Sequence, residues 1–187
     1  MSSTSLADQM YEVMKTRRAV RTFTGEPVAD DLLWRVVRSA RWASNASNRH
    51  VHKFLITRDR DKIAIIRSFS PGMLNAPPAI IAILTDQEAV QREQLQPGDN
   101  ANDIDIGTAA QNMMNIAHAL GLGSCPVTSF SKSGVATAIA LPPHLTPELL
   151  LMVGHPQAVP RQLGGAAPKP LSARDLTYWE DAGRHEP

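Results

Sequence analysis

Residues 105–125 read DIGTAAQNMMNIAHALGLGSC, and the rest of the chain is organised around this stretch. Ile106, Ala109, Ala110, Met113, Met114, Ile116, Ala117, Ala119 and Leu120 occupy most of a 3.6-residue wheel. Only a narrow stripe of Thr108, Gln111, Asn112, Asn115 and His118 is polar. The pattern predicts a helix buried on nearly every side. Its alanines favour helix and let neighbours approach closely, Asp105 is placed to cap the start, and Gly121 and Gly123 supply the left-handed geometry that ends it.

Working outward, 187 residues fit one domain spanning 1–187. With 43% hydrophobic and 20% charged residues, the composition is that of an ordinary globular chain. No apolar run approaches the ~18 residues of a membrane span, and the N-terminus MSSTSLADQMYEVMK lacks the pattern of a signal peptide. The single cysteine, Cys125, excludes an internal disulfide and a cysteine-only metal site, and fits a cytoplasmic location. A formal net charge of +1 gives no electrostatic case for nucleic acid or membrane as partner, so any bound anion must be met by a local cluster.

Leu6–Thr16 reads as an amphipathic helix capped by Ser5, with Asp8 three residues on. A second helix is expected over Asp30–Ala43. Strands are expected at Lys53–Thr57, Ala79–Leu84, Cys125–Thr128 and Leu149–Val153, with short helices over Asp61–Phe69 and Lys132–Ala140, the latter capped by Ser131. Asp86–Asn102, with four glutamines and Pro97-Gly98, reads as a polar surface excursion, partly helical at best. From His155 onward prolines and glycines crowd together, which predicts an extended arm over 155–187 lying on a surface. About four strands and five helices in mixed order give an α+β fold or three-layer sandwich.

Three segments could carry chemistry. Arg17, Arg18 and Arg21 lie on an extended piece where Arg17 and Arg21 share one face and Arg18 takes the other; paired guanidinium groups suit a phosphate, and a solvated basic face is the alternative. Arg35, Arg38 and Arg41 on the next helix read as solvated. Trp42–His50, rich in small amide and hydroxyl residues, leaves room for a flat ring or is an ordinary connecting loop. Gly123–Ser129 can turn backbone amides toward a ligand. The six histidines lack zinc-protease spacing, Cys125 reads as a small buried hydrophobe, and no metal site is expected. There is no nucleophile elbow, Walker loop or dinucleotide fingerprint.

In this order the pieces resemble the FMN-dependent nitroreductase family. TRRAVRTF is similar to its opening arginine motif, NASNRHVHKF to its Pro-Ser-x-x-Asn-x-Gln-Pro-Trp-x-Phe loop, APPAII to its Ala-Pro strand, and DIGTAAQNMMNIAHALGLGSC to its central helix and turn. VGHP and PKPLS match its strand end and C-terminal arm, so the likeness runs from about residue 9 to 180. The resemblance implies a nitroreductase-like three-layer α/β/α sandwich built as an intertwined homodimer, with FMN shared between subunits. By position, Arg17 would meet the FMN phosphate, Arg18 the ribityl chain and Arg21 the pyrimidine edge. Ser44, Asn45, Ala46 and Asn48 would approach the ring from the partner chain. Pro126, Val127, Thr128 and Ser129 would lie along the flavin, and Lys169 would return to the phosphate.

The implied activity is reduction of the flavin by NADH or NADPH, then of a small-molecule acceptor such as a nitroaromatic or quinone. The flavin carries the hydride chemistry and no side chain is needed as a catalytic nucleophile. A specialised flavin reaction, such as reductive dehalogenation or flavin breakdown, and a flavin-binding protein with little turnover are the alternatives. The chain departs from the pattern at Ala19, where a serine is common, at His50-Val51-His52 in place of Gln-Pro-Trp, and at Thr128, where some members carry glutamate.

Overall fold

The computed structural model describes residues 4–94, 101–158 and 172–180. Its framework is a four-stranded antiparallel sheet of β1 (His52–Thr57), β2 (Ala79–Asp86), β3 (Gly123–Val127) and β4 (Leu145–Gly154), in the order β1-β2-β4-β3. Every residue of β2 is buried. Because side chains alternate along a strand, its isoleucine-rich run serves both faces at once. Ala79, Ile81 and Ile83 join Leu151 and Val153 of β4 in a core with α2 (Asp30–Ala40) and α5 (Ala101–Ala119). Ile80, Ala82 and Leu84 join Leu150 and Met152 in a second core with α3 (Arg60–Ser68) and α6 (Lys132–Ala138). The mixed α+β character read from the sequence is observed.

The first helix, α1 (Leu6–Thr16), has the expected capping box: Asp8 N–H donates to Ser5 Oγ, and the Asp8 carboxylate accepts from Ser5 N–H. None of its residues is buried, so its apolar face, including Leu6 at 73% and Met10 at 59% exposure, meets no core within the single chain.

The central helix differs from its sequence reading at its start. It runs over Ala101–Ala119 and is already helical four residues before Asp105, which stands inside the helix as a buried acid and not at its cap. The polar stretch before it contains α4 (Gln87–Arg92), capped by Asp86, whose carboxylate accepts from Ala89 N–H. Six α-helices therefore stand among the described residues where five were expected, and α2 stops at Ala40, three residues early. Burial of α5 is one-sided as well: Ile104 and Ile116 remain exposed. Its exit at Gly121 is as read, while Gly123, also expected to be left-handed, begins β3 without a positive φ. Gly121 adopts φ +77°, its N–H donates to His118 O at 2.9 Å, and Leu122 N–H donates to Ala117 O at 2.8 Å, a paired closure of the last turn.

Beyond β4, Pro156 bridges to Phe23, and a 3-10 turn at Arg174–Leu176 lies in an exposed segment carrying Leu176, Tyr178 and Trp179. The remainder of the expected arm lies outside the described residues. Among the described residues no helix is long and apolar enough to cross a membrane.

His52, where β1 begins, generates a stability prediction. Both ring nitrogens are buried with no close hydrogen-bond partner among the described residues, and burial holds the imidazole below its usual pKa, with partial opposition from Asp105 and then the Leu84 backbone. The folded state then binds fewer protons than the unfolded chain, so its stability is full above about pH 6.5 and declines as pH falls through the depressed folded value. Asp86 and Asp175 are held below the usual carboxylate range, chiefly by the N–H groups of Ala89 and Ser172 respectively, and their contributions are lost only at lower pH. Melting temperatures at pH 7.5 and 5.5 should therefore drop more for the native chain than for His52→Phe. Equal drops would show that another group controls this limb.

Candidate functional site

The arginine segment is laced to the sheet edge. Arg17 closes α1, and the chain then runs beside β3: Ala19 forms a parallel bridge with Ser124, and Val20 N–H donates to Ser124 O at 2.9 Å. Further on, Thr24 N–H donates to His155 O at 3.0 Å and Gln157 N–H donates to Thr22 O at 3.1 Å. Asn75 Nδ2 donates to Arg21 O at 3.2 Å. The approach to β3 depends on Gly123, since a Cβ there would lie 2.6 Å from Val20 Cγ1, inside any real contact.

The three arginines have different surroundings. Arg17 is half-buried, and its Nε is buried without a hydrogen-bond partner. Arg18 is exposed, and its Nη1 donates to Lys15 O at 2.6 Å and Arg17 O at 2.8 Å, which satisfies carbonyls at the end of α1. Arg21 is exposed, and its guanidinium makes no hydrogen bond or ion pair among the described residues. Burial pushes the Cys125 thiol up, against the opposing pull of Arg21 and then Arg17, so both guanidinium groups lie close to β3. An unpartnered buried Nε beside a second free guanidinium is the arrangement an anionic group would complete, and the residues present fit a phosphate-bearing cofactor. A cavity of about 250 Å³ opens here, lined by Thr16, Arg17, Arg18, His118 and Ser124 among others.

The second segment lies at the other end of α5. Ala46 N–H donates to both carboxylate oxygens of Asp105 at 3.1 Å, and Thr108 Oγ1 donates to Ser44 O at 2.9 Å. These bonds hold a 3-10 turn, Ala46–Asn48, in which Ser47 and Asn48 take φ of +55° and +54°. Asn tolerates this left-handed region and Ser does so less readily. Asn45 Oδ1 is buried without a partner beside a cavity of about 140 Å³ that Ser44, His50, His52 and Asp105 also line.

In the third segment Pro126, Thr128 and Ser129 are exposed, and Ser129 O accepts from Gly72 N–H at 3.3 Å. The Val127 side chain is buried in the core against α3 and α6, which leaves only its backbone to face a ligand. Lys169 lies outside the described residues.

The structure brings Arg17, Arg18 and Arg21 together with the β3 segment, and it does not bring Ser44–Asn48 to them. Asp105 anchors one group and His118 the other, and thirteen helical positions at 1.5 Å each put them ~20 Å apart along α5. Sequence reading missed Asp105 as the anchor of the loop, Asn75 as a support for Arg21, and the contact of His118 with Thr16. A legible signal existed only for Asp105, an acid on the apolar side of a helix that must find a donor. Arg35, Arg38 and Arg41 are exposed, as read, with Arg41 lying 5.9 Å from the Trp42 ring centroid. Among the described residues Asp86, Glu88 and His144 form a grouping of metal-type ligands, but the Asp86 carboxylate already caps α4 and faces Lys53 at 3.9 Å.

Comparison with known proteins gives a consistent picture. A Methanothermobacter thermautotrophicus protein with the provisional name NADH dehydrogenase/NAD(P)H nitroreductase is 26% identical over 157 residues, covering 81% of this chain and 79% of that protein. Among solved structures, B. megaterium NfrA1 superposes with a TM-score of 0.77 at 21% identity, over 92% of this chain and 74% of its own. A Desulfovibrio desulfuricans nitroreductase in complex with FMN gives 0.73 at 26% identity, over 92% and 96%. The model of the Nitroreductase family matches residues 14–76 and 67–155, a span that takes in the arginine segment, the Ser44–Asn48 loop, all four strands and α5. The chain belongs to the nitroreductase family.

Proposed function

We propose that this protein is an FMN-dependent oxidoreductase that takes reducing equivalents from NADH or NADPH and passes them to a small-molecule acceptor such as a nitroaromatic or quinone. The observation that carries the reading is the pair of unpaired guanidinium groups, Arg17 with its orphaned buried Nε and Arg21, held beside β3 by the Val20–Ser124 hydrogen bond. A flavin bound there supplies the hydride chemistry. Arg17 grips the phosphate through charge-assisted hydrogen bonds. Arg21, four residues along the same edge, stands at the pyrimidine end, where its positive charge favours the more anionic reduced cofactor. Pro126, Thr128 and Ser129 offer backbone groups along the ring. The FMN complex of the Desulfovibrio relative supports the choice of cofactor. Loading the purified protein with FMN and following NAD(P)H oxidation with a nitroaromatic tests the activity. A protein that stays colourless with added FMN overturns it, and bound FMN without turnover leaves the binding role alone.

The second part of the proposal is an intertwined homodimer in which each three-layer α/β/α subunit completes its partner's site. The ~20 Å that separates the Ser44–Asn48 loop from the arginine segment along α5 favours a flavin contacted by the loop of a second subunit. So does the unburied apolar surface of α1, of Ile116 and of Trp42, the last 80% exposed. Light scattering of the flavin-loaded protein should give twice 20.4 kDa, and a flavin-loaded species at that monomer mass would refute the arrangement.

The roles of the two arginines separate in redox titration. Phosphate charge is the same in oxidised and reduced flavin, so Arg17→Ala should weaken both forms about equally. Arg21→Ala should weaken the reduced form further, by about 1–3 kcal/mol for a lost charged hydrogen bond. With ~30 mV equivalent to ~1.4 kcal/mol for two electrons, the potential should fall by a few tens of millivolts in Arg21→Ala and stay near the native value in Arg17→Ala. Equal potentials in the native protein and Arg21→Ala would remove Arg21 from the pyrimidine edge.

A further inference from the structure

The cavity that Arg17 and Arg18 line is also lined by His118, in the last turn of α5. His118 Nε2 lies 2.9 Å from Thr16 Oγ1, and the hydroxyl of Thr16 has its single proton committed to Glu12 O at 2.5 Å. The imidazole must therefore be the donor to Thr16, which fixes a proton on Nε2. Nδ1 has no hydrogen-bond partner among the described residues. Arg17, Arg18 and Ser124 line the same cavity, positions 19 and 20 are alanine and valine, and Arg18 Nη1 is occupied by the carbonyls of Lys15 and Arg17.

We propose that His118 is a phosphate-binding residue, its Nδ1–H donating to the terminal phosphate monoester of the cofactor while its Nε2–H holds Thr16 and, through it, the start of the arginine segment. The inference rests on the FMN reading above. Its electrostatics are coherent. The carbonyl end of α5 repels an anion brought into this cavity, and an imidazolium in the last turn offsets that repulsion and is itself favoured by the helix dipole. With Nε2 protonated toward Thr16, a proton on Nδ1 makes the ring cationic, and a phosphate dianion is the partner that retains it.

The two nitrogens can be tested apart. His118→Gln places an amide N–H near the Nε2 position and keeps the Thr16 contact, whereas His118→Asn places one near Nδ1 and loses it. Dissociation constants of FMN and of riboflavin, which lacks the phosphate, are measured by flavin fluorescence on flavin-free protein, with a thermal melt of each variant to confirm folding. His118→Gln should bind FMN roughly tenfold to a hundredfold more weakly with riboflavin affinity unchanged, and His118→Asn should retain most of the preference for FMN. Full preference for FMN in His118→Gln, or equal weakening of both flavins, reduces His118 to a tether for Thr16 and overturns the proposal while leaving the flavin reading intact. A native protein that binds neither flavin overturns both.

Discussion

The Val20–Ser124 hydrogen bond, made possible by the absence of a side chain at Gly123, is the contact on which the candidate site depends. It fastens the arginine segment to the free edge of β3, so that the direction of each guanidinium is set by the pleat of a strand and not by a mobile loop. The edge would otherwise present unpaired backbone groups, and covering it with a polar segment of the same chain removes that hazard. The closure of α5 at Gly121 is part of the same constraint, because it fixes where β3 begins relative to the end of α1.

The sheet beneath is rigid because β2 is buried from end to end and divides its side chains between two cores. That division explains why helices can occupy both faces. Met113, Ala110 and Ala117 have little or no exposure, while Asp105 near one end of the helix and His118 at the other each anchor a polar cluster. A single helix thus anchors two polar clusters too far apart to serve one small molecule within one chain. The proposed second subunit resolves that separation and covers the apolar face of α1.

Charge is distributed unevenly at a nearly neutral total. Arg18 spends Nη1 on the carbonyls that end α1, while Arg17 Nε and the Arg21 guanidinium have no partner among the described residues and both arginines bias the buried thiol of Cys125. Arg17 Nε, buried without a partner among the described residues, is a costly group that a ligand would complete, whereas Arg21 stays in solvent. The loop at Ser44–Asn48 stores a different kind of cost, two consecutive left-handed residues held in place by a bidentate carboxylate.

Sequence alone determined the features that depend on near neighbours. The capping box of Ser5 and Asp8, the Ser131 cap, the stop at Gly121 and the apolar strand at β2 are local or compositional properties, and each stands in the structure as read. The ordered arginine, loop and helix motifs also sufficed to name the family. Tertiary structure decided what long-range pairing controls. It carried helix through the polar residues before Asp105, where Asn102 Nδ2 donates to Thr85 Oγ1 of β2, a contact that no periodicity displays. It converted Asp105 from a helix cap into the acceptor of an amide 59 positions away, and drew His118 to Thr16 across 102 positions. Such partners are set by how the helices pack on the sheet, since the free energy that joins them comes from burial of the surrounding apolar surface and leaves no mark in local spacing.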